Sequence, residues 1–148
     1  MSSALPPLRV LLVDDDPAFA ELIKTLLKLD GIELLDHALD GAEGVELALN
    51  LEPDVVLMDI RMPVMDGFEA TRRIVGAIPG ARVLVVSSSR HLQDAERARE
   101  AGAIGYLPKD RVTADLREWL ERVRPPSHSP EARIVATNSL RWRLQAAS

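Results

Sequence analysis

The sequence contains no cysteine, which rules out disulfides, thiolate metal sites and cysteine nucleophiles in one step. It also has no uninterrupted apolar run of the roughly 18 residues that a membrane-spanning helix needs. Met1 to Pro7 offers no basic segment leading into an apolar stretch, so nothing there reads as a secretion signal. A cytoplasmic location is the simplest expectation. An excess of positive charge is missing too. The balance of 18 basic against 23 acidic residues gives a formal net charge of −5, which argues against broad nucleic-acid binding by the whole chain. What is present is 148 residues, 47% hydrophobic and 28% charged, enough for one compact domain with a real core and a short appendage.

Short aliphatic runs alternate with helical patterns along the chain, which predicts a parallel sheet covered on both faces. Leu8 to Val13 reads as the first strand. Pro17 suits a first helical turn, and Phe19, Leu22, Ile23, Leu26 and Leu27 follow at helical spacing until Gly31. Ile32 to Ala38 is a less apolar strand and therefore nearer an edge. Asp40 can cap the next helix with Glu43 three residues on, and Ala42, Val45 and Leu49 mark its expected inner face. Val55 to Met58 is a short buried strand. A third helix carries Phe68, Thr71, Ile74, Val75 and Ile78 inward and ends at Pro79-Gly80. Arg82 to Val86, a helix around Gln93 to Ala101, Gly105 to Leu107, and a helix lined by Leu116, Trp119, Leu120 and Val123 complete the pattern. Right-handed crossovers then give a doubly wound α/β fold, five parallel strands with helices on both faces.

In such a sheet, ligands bind beyond the carboxyl ends of the strands. The first strand runs into Asp14-Asp15-Asp16, the third into Asp59 and the fourth into Ser87, and the fifth is followed by Lys109. Several carboxylates at one rim repel each other unless a cation joins them, and Mg²⁺ suits an oxygen-only site. Lys109 adds positive charge and Ser87 a hydroxyl donor, as a transferring phosphoryl group demands. Aspartate can be the nucleophile of such a transfer, and Asp59 stands alone at the central rim. Asp14 and Asp15, as neighbours on an extended segment, must point differently.

The segments Leu11-Leu12-Val13-Asp14-Asp15-Asp16-Pro17, Val56-Leu57-Met58-Asp59-Ile60-Arg61-Met62-Pro63 with Asp66-Gly67, Val86-Ser87-Ser88, and Gly105-Tyr106-Leu107-Pro108-Lys109 together resemble the receiver domain of two-component response regulators. The resemblance covers roughly residues 8–124 and rests on four motifs in order. It implies the flavodoxin-like strand order 2-1-3-4-5. It implies that Asp59 takes a phosphoryl group from a sensor histidine kinase or phosphotransfer protein, and that the chain is a signalling switch rather than a metabolic enzyme. It further implies that Asp15 and Asp59 ligate Mg²⁺ with the backbone carbonyl of Arg61, Asp14 assisting. Ser87 and Lys109 would hold the phosphoryl oxygens, and Ser87 and Tyr106 would form the switch. Two positions stand out against the family pattern. Asp110 follows the lysine where many receivers have proline, and Arg61 sits two residues past the phosphoacceptor, where it could interact with the phosphate or restrict attacking water.

Asp14-x-Asp16 is also similar to the nucleophile motif of haloacid-dehalogenase phosphohydrolases, a reading that leaves Asp59 unexplained. A flavin module of this topology would need a phosphate-cradling loop where three aspartates stand. His37, His91 and His128 show no metal-ligand spacing and read as surface residues; Asp66-Gly67 reads as turn and helix start. Residues 125–148 form a tail without a recognisable output domain, opened by Pro125-Pro126. Its alternation of Leu140, Trp142 and Leu144 with Arg141 and Arg143 suggests an apolar face that docks on its own domain or on a second copy in a homodimer.

Overall fold

The computed structural model describes residues 7–124. The expected docking of the tail lies outside the described residues. Five parallel strands, β1 (Arg9–Val13), β2 (Glu33–Ala38), β3 (Val55–Met58), β4 (Val83–Ser87) and β5 (Gly105–Pro108), form one sheet in the order β2-β1-β3-β4-β5. Between and after them run α1 (Pro17–Leu29), α2 (Gly41–Leu51), α3 (Gly67–Ala77), α4 (Leu92–Ala101) and α5 (Val112–Val123), with a 3₁₀ turn at Lys109–Arg111. This is the doubly wound arrangement that the alternating pattern predicted, in the flavodoxin-like strand order that the resemblance implied.

Side-chain alternation along the strands divides the core in two. Val10, Leu12, Leu57, Leu84, Val86 and Leu107 face α1 and α5, where they meet Phe19, Ile23, Leu27, Leu116, Trp119 and Leu120. Leu11, Val13, Val56, Met58 and Val83 face the other way, onto Ala48, Ala70 and Ile74 of α2 and α3. Val85 and Tyr106 meet Phe68 of α3 and Ala95 and Ala98 of α4. β2, at one edge, keeps only Ala38 fully buried, as its weaker apolar character implied. Aspartates start three of the helices. Asp16 accepts the Ala18 N–H, Asp40 the Glu43 N–H and Asp66 the Glu69 N–H, each satisfying a donor that the first turn leaves unpaired.

One helix face differs from expectation. α2 buries Gly41, Gly44 and Ala48, while Leu49 is 46% exposed. The reason is distance. A Cβ on Gly44 would stand 2.7 Å from Val13 Cγ1, so α2 approaches β1 on a stripe of small residues that apolar periodicity does not register. α1 shows the same effect more mildly, with Ala20 buried and Leu22 turned outward.

This packing makes a paired prediction. Gly44→Ala should lower stability in urea unfolding by about 1–3 kcal/mol, the usual range for overpacking a filled interior. Gly76→Ala, with open space around the new methyl group, should instead gain up to about 1 kcal/mol from helix propensity. Equal effects at the two sites would contradict the close α2–β1 contact.

Candidate functional site

The C-terminal ends of β1, β3, β4 and β5 bring the expected residues to one rim. Asp59 continues the ladder beyond β3, its N–H donating to the Val13 carbonyl at 2.9 Å. Asp14 does the same beyond β1, donating to the Ala38 carbonyl at 3.0 Å. Asp14 is 1% exposed and Asp59 8%, whereas Asp15 is turned out, the divergence that neighbours on an extended segment require. Asp14 Oδ1 accepts the Asp16 N–H at 2.8 Å and so fixes the turn, and Asp16 then caps α1. The three successive aspartates thus have three separate surroundings. Beyond Asp59, the chain turns back sharply, and Gly67 donates its N–H to the Ile60 carbonyl at 2.9 Å. A Cβ there would stand 2.0 Å from the Asp59 carbonyl oxygen, so the turn requires glycine.

One oxygen each from Asp14, Asp15 and Asp59 lie within 4.8 Å of one another. Lys109 reaches over from the end of β5. Its Nζ is 2.8 Å from Asp14 Oδ2 and 3.8 Å from Asp59 Oδ1, and it lies 4.4 Å from the centre of the Phe19 ring. The ring face adds a cation–π contact that holds the ammonium over the carboxylates. Burial pushes the Asp59 carboxyl up from the ordinary 3.8 to about 6. The charge of Asp14 adds to this, and Lys109 pulls against both. A rim with more carboxylate than ammonium, built only from oxygen donors, fits Mg²⁺ better than any softer metal.

Ser87 is 2% exposed, and its Oγ accepts the Ser89 N–H at 3.0 Å. Tyr106 is buried, facing α4, and its hydroxyl donates to the Ser89 carbonyl at 2.7 Å. Asp110, the departure after the lysine, pairs with Arg90 and so ties the 3₁₀ turn to the β4–α4 loop. That hydrogen bond holds the Asp110 carboxyl below the ordinary carboxylate range. Arg61 lies in the β3–α3 loop with its guanidinium turned to Asp94 of α4, Nη2 to Oδ2 3.3 Å.

Three participants were not read as such from the sequence. His37, expected at the surface, is half-buried, and its Nε2–H donates to the Asp14 carbonyl at 2.7 Å. The contact arises from the β1–β2 register, which sets His37 beside Leu12, and no local sequence signal marks it. Phe19 was assigned to the core alone. Asp94 had no local signal to set it apart from the other acids on α4.

A doubly wound sheet with carboxylates, a hydroxyl and a lysine at its C-terminal rim is the arrangement of a phosphoryl-accepting signalling domain. The family model described as response regulator receiver domain matches residues 10–121. Among curated proteins, the chain is 43% identical over 149 residues to protein-glutamate methylesterase/protein-glutamine glutaminase 4 of Myxococcus xanthus, covering 84% of this chain and 42% of the relative. It is 36% identical over 117 residues to the nitrate/nitrite response regulator protein NarL of Escherichia coli, covering 78% of this chain and 54% of that protein. Among solved structures, response regulator protein TrrA of Thermotoga maritima, in complex with Mg²⁺–BeF, superposes with a TM-score of 0.70 at 29% identity, covering 77% of this chain and 96% of that one. The chain belongs to the response regulator receiver domain family and is a phosphoacceptor signalling domain. It spans about two-fifths to a half of the length of these curated relatives. The phosphohydrolase reading of Asp14 finds no support among them.

The raised carboxyl of Asp59 has a measurable consequence. An acid with a raised folded pKa holds its proton more tightly folded than unfolded. Ionising Asp59 therefore costs stability as pH rises from 3.8 to about 6, and the cost is complete above that window. With divalent metal removed by EDTA, Asp59→Asn should melt several degrees above wild type at pH well above 6. The difference should vanish below 3.8. A constant difference across the range, followed by circular dichroism, would contradict the strained carboxylate.

Proposed function

We propose that this domain accepts one phosphoryl group on the Asp59 carboxylate, with Mg²⁺ as cofactor, and changes conformation in response. The observation that carries this reading is the convergence of Asp14, Asp15 and Asp59 within 4.8 Å under a lysine that contacts two of them. Asp15 and Asp59 would hold the metal with the backbone carbonyl of Arg61, and Asp14 would assist. When bound, Mg²⁺ supplies the positive charge that keeps Asp59 ionised and neutralises phosphoryl oxygens.

The chain's own residues account for the rest of the transfer. An oxygen of ionised Asp59 attacks the donor phosphorus, and the bond from phosphorus to the leaving atom breaks with its electron pair going to the donor. Lys109, oriented by Asp14 and Phe19, takes charge from the transferred oxygens. Ser87 Oγ already accepts the Ser89 N–H, which leaves its own proton to donate to a phosphoryl oxygen. Movement of Ser87 towards that oxygen would pull on Ser89, whose carbonyl anchors the Tyr106 hydroxyl. Ser87 and Tyr106 are therefore the proposed switch, read out on the surface of α4, β5 and α5.

Family membership supports a sensor histidine kinase or phosphotransfer protein as phosphodonor. The domain acts as a switch and not as a turnover enzyme, and its output partner is protein, a second copy of the chain included. No direct contact with nucleic acid is assigned to it. Among the described residues no helix is long and apolar enough to cross a membrane.

Incubation with a small acyl-phosphate donor and Mg²⁺, followed by peptide mapping, should place a single phosphoryl group on Asp59. Asp15→Ala should reduce Mg²⁺-dependent labelling by at least about tenfold, as loss of a metal ligand does, while leaving the circular dichroism spectrum unchanged. Full labelling of an Asp59→Ala variant would overturn the assignment.

A further inference from the structure

The end of β2 holds Asp14 by its backbone on both sides. The Asp14 N–H donates to the Ala38 carbonyl at 3.0 Å, and the His37 Nε2–H donates to the Asp14 carbonyl at 2.7 Å. The peptide units before and after Asp14 are therefore both tied to one edge strand. A carbonyl only accepts, so the imidazole carries its hydrogen on Nε2. The neutral ring in that tautomer and the imidazolium both donate from Nε2, and the bond does not depend on the charge of the ring.

The residue most affected is Asp15, which makes neither bond. Asp15 is exposed, yet one of its carboxylate oxygens stands within 4.8 Å of those of Asp14 and Asp59, as sharing a cation requires. Without metal, repulsion pushes an exposed carboxylate away from such neighbours. What opposes this is the backbone. A side chain leaves the chain in a direction set by the two peptide planes that flank its Cα. Behind Asp15, that plane contains the Asp14 carbonyl, held by His37. Ahead of it, the plane contains the Asp16 N–H, which donates to Asp14 Oδ1 at 2.8 Å. With both planes fixed, the Cα–Cβ bond of Asp15 is aimed before any ligand arrives.

We propose that His37 is a positioning residue for Mg²⁺: through the Asp14 carbonyl, it holds the Asp15 carboxylate in the orientation that binds metal. The proposal rests on the reading of Asp15 and Asp59 as metal ligands. His37 touches no reacting atom, so its effect is one of population. If the released peptide leaves about one molecule in ten in the competent orientation, the dissociation constant for Mg²⁺ rises about tenfold. That is the low end of what loss of an outer partner does to a metal site, about 10–100-fold.

The test compares His37→Leu and His37→Gln with wild type on the full chain, with Mg²⁺ alone as the probe. Backbone amide NMR titration gives the dissociation constant of the folded protein, and urea unfolding in EDTA gives its stability. His37→Leu removes the donor and should weaken Mg²⁺ binding about tenfold. In its metal-free form, the Asp15 amide nitrogen, which belongs to the released peptide, should shift. His37→Gln returns an N–H donor of similar reach and should bind Mg²⁺ within about twofold of wild type. A bond that merely stabilises the fold would lower the urea midpoint of His37→Leu and leave its Mg²⁺ dissociation constant at the wild-type value; that result would overturn the proposal. So would an equal weakening in His37→Gln, because the donor would then not be what matters. If His37→Leu fails to fold, His37→Val, whose branched side chain suits a strand, should show the same loss, and a wild-type constant there would overturn the proposal. Wild type that shows no saturable response to Mg²⁺ at Asp15 or Asp59 would remove the metal-ligand reading itself, and the proposal with it.

Discussion

The repulsion among Asp14, Asp15 and Asp59 is the constraint to which the rest of the site answers. Two unit charges about 5 Å apart repel by about 3 kcal/mol at an effective dielectric near 20, and Asp14 and Asp59 are both nearly out of water. Nothing in the packing of the sheet demands that arrangement. Burial first and the charge of Asp14 second raise the Asp59 carboxyl to about 6, and Lys109, nearer Asp14 than Asp59, offsets only part of this. A rim under this load gains most from a hard cation, and then from a group whose own oxygens need cationic neighbours.

The sheet is what makes the crowding precise. β1 and β3 are direct neighbours in register, Val13 beside Met58, so Asp14 and Asp59 leave adjacent strands at the same height. β4 and β5 place Ser87 beside Pro108, one residue before Lys109. The parallel order sends all four polar ends to one rim and leaves both faces to apolar packing. Gly44 and Gly67 mark where that rim is tight: one lets α2 close on Val13, the other lets the β3–α3 turn fold back over the Asp59 carbonyl.

Much of this was legible in the sequence because it is local. Aliphatic runs of four to six residues followed by Asp14, Asp59 and Ser87 define both the strands and the rim, and the four motifs that resemble receivers sit at those points. The aspartate caps Asp16, Asp40 and Asp66 are equally local signals. The buried stripe of α2 was not legible, since Gly41, Gly44 and Ala48 pack through the absence of side chain, while Leu49 carries apolar character that the fold leaves outside. Nor were the tertiary partners. His37 meets the Asp14 carbonyl only because β2 lies beside β1, and Asp94 meets Arg61 only once α4 is seated against the β3–α3 loop. Composition distinguishes neither residue from its exposed neighbours.

The β4–α4 loop joins the rim of the site to α4 and β5. Ser87 faces the rim, Ser89 holds Tyr106 and Asp94, and Arg90 reaches Asp110 beside the lysine. From Ser87 a chain of hydrogen bonds runs through Ser89 to Asp94 of α4 and Tyr106 of β5. The carboxylate crowding at the rim can be read directly. A carbon-13 NMR titration of the Asp59 carboxyl, with and without Mg²⁺, is the most direct measurement. The account predicts a midpoint near 6 in the metal-free protein and a clear fall when Mg²⁺ is added, because the metal favours the ionised form. A midpoint at the ordinary 3.8, or one that Mg²⁺ leaves unmoved, would contradict it.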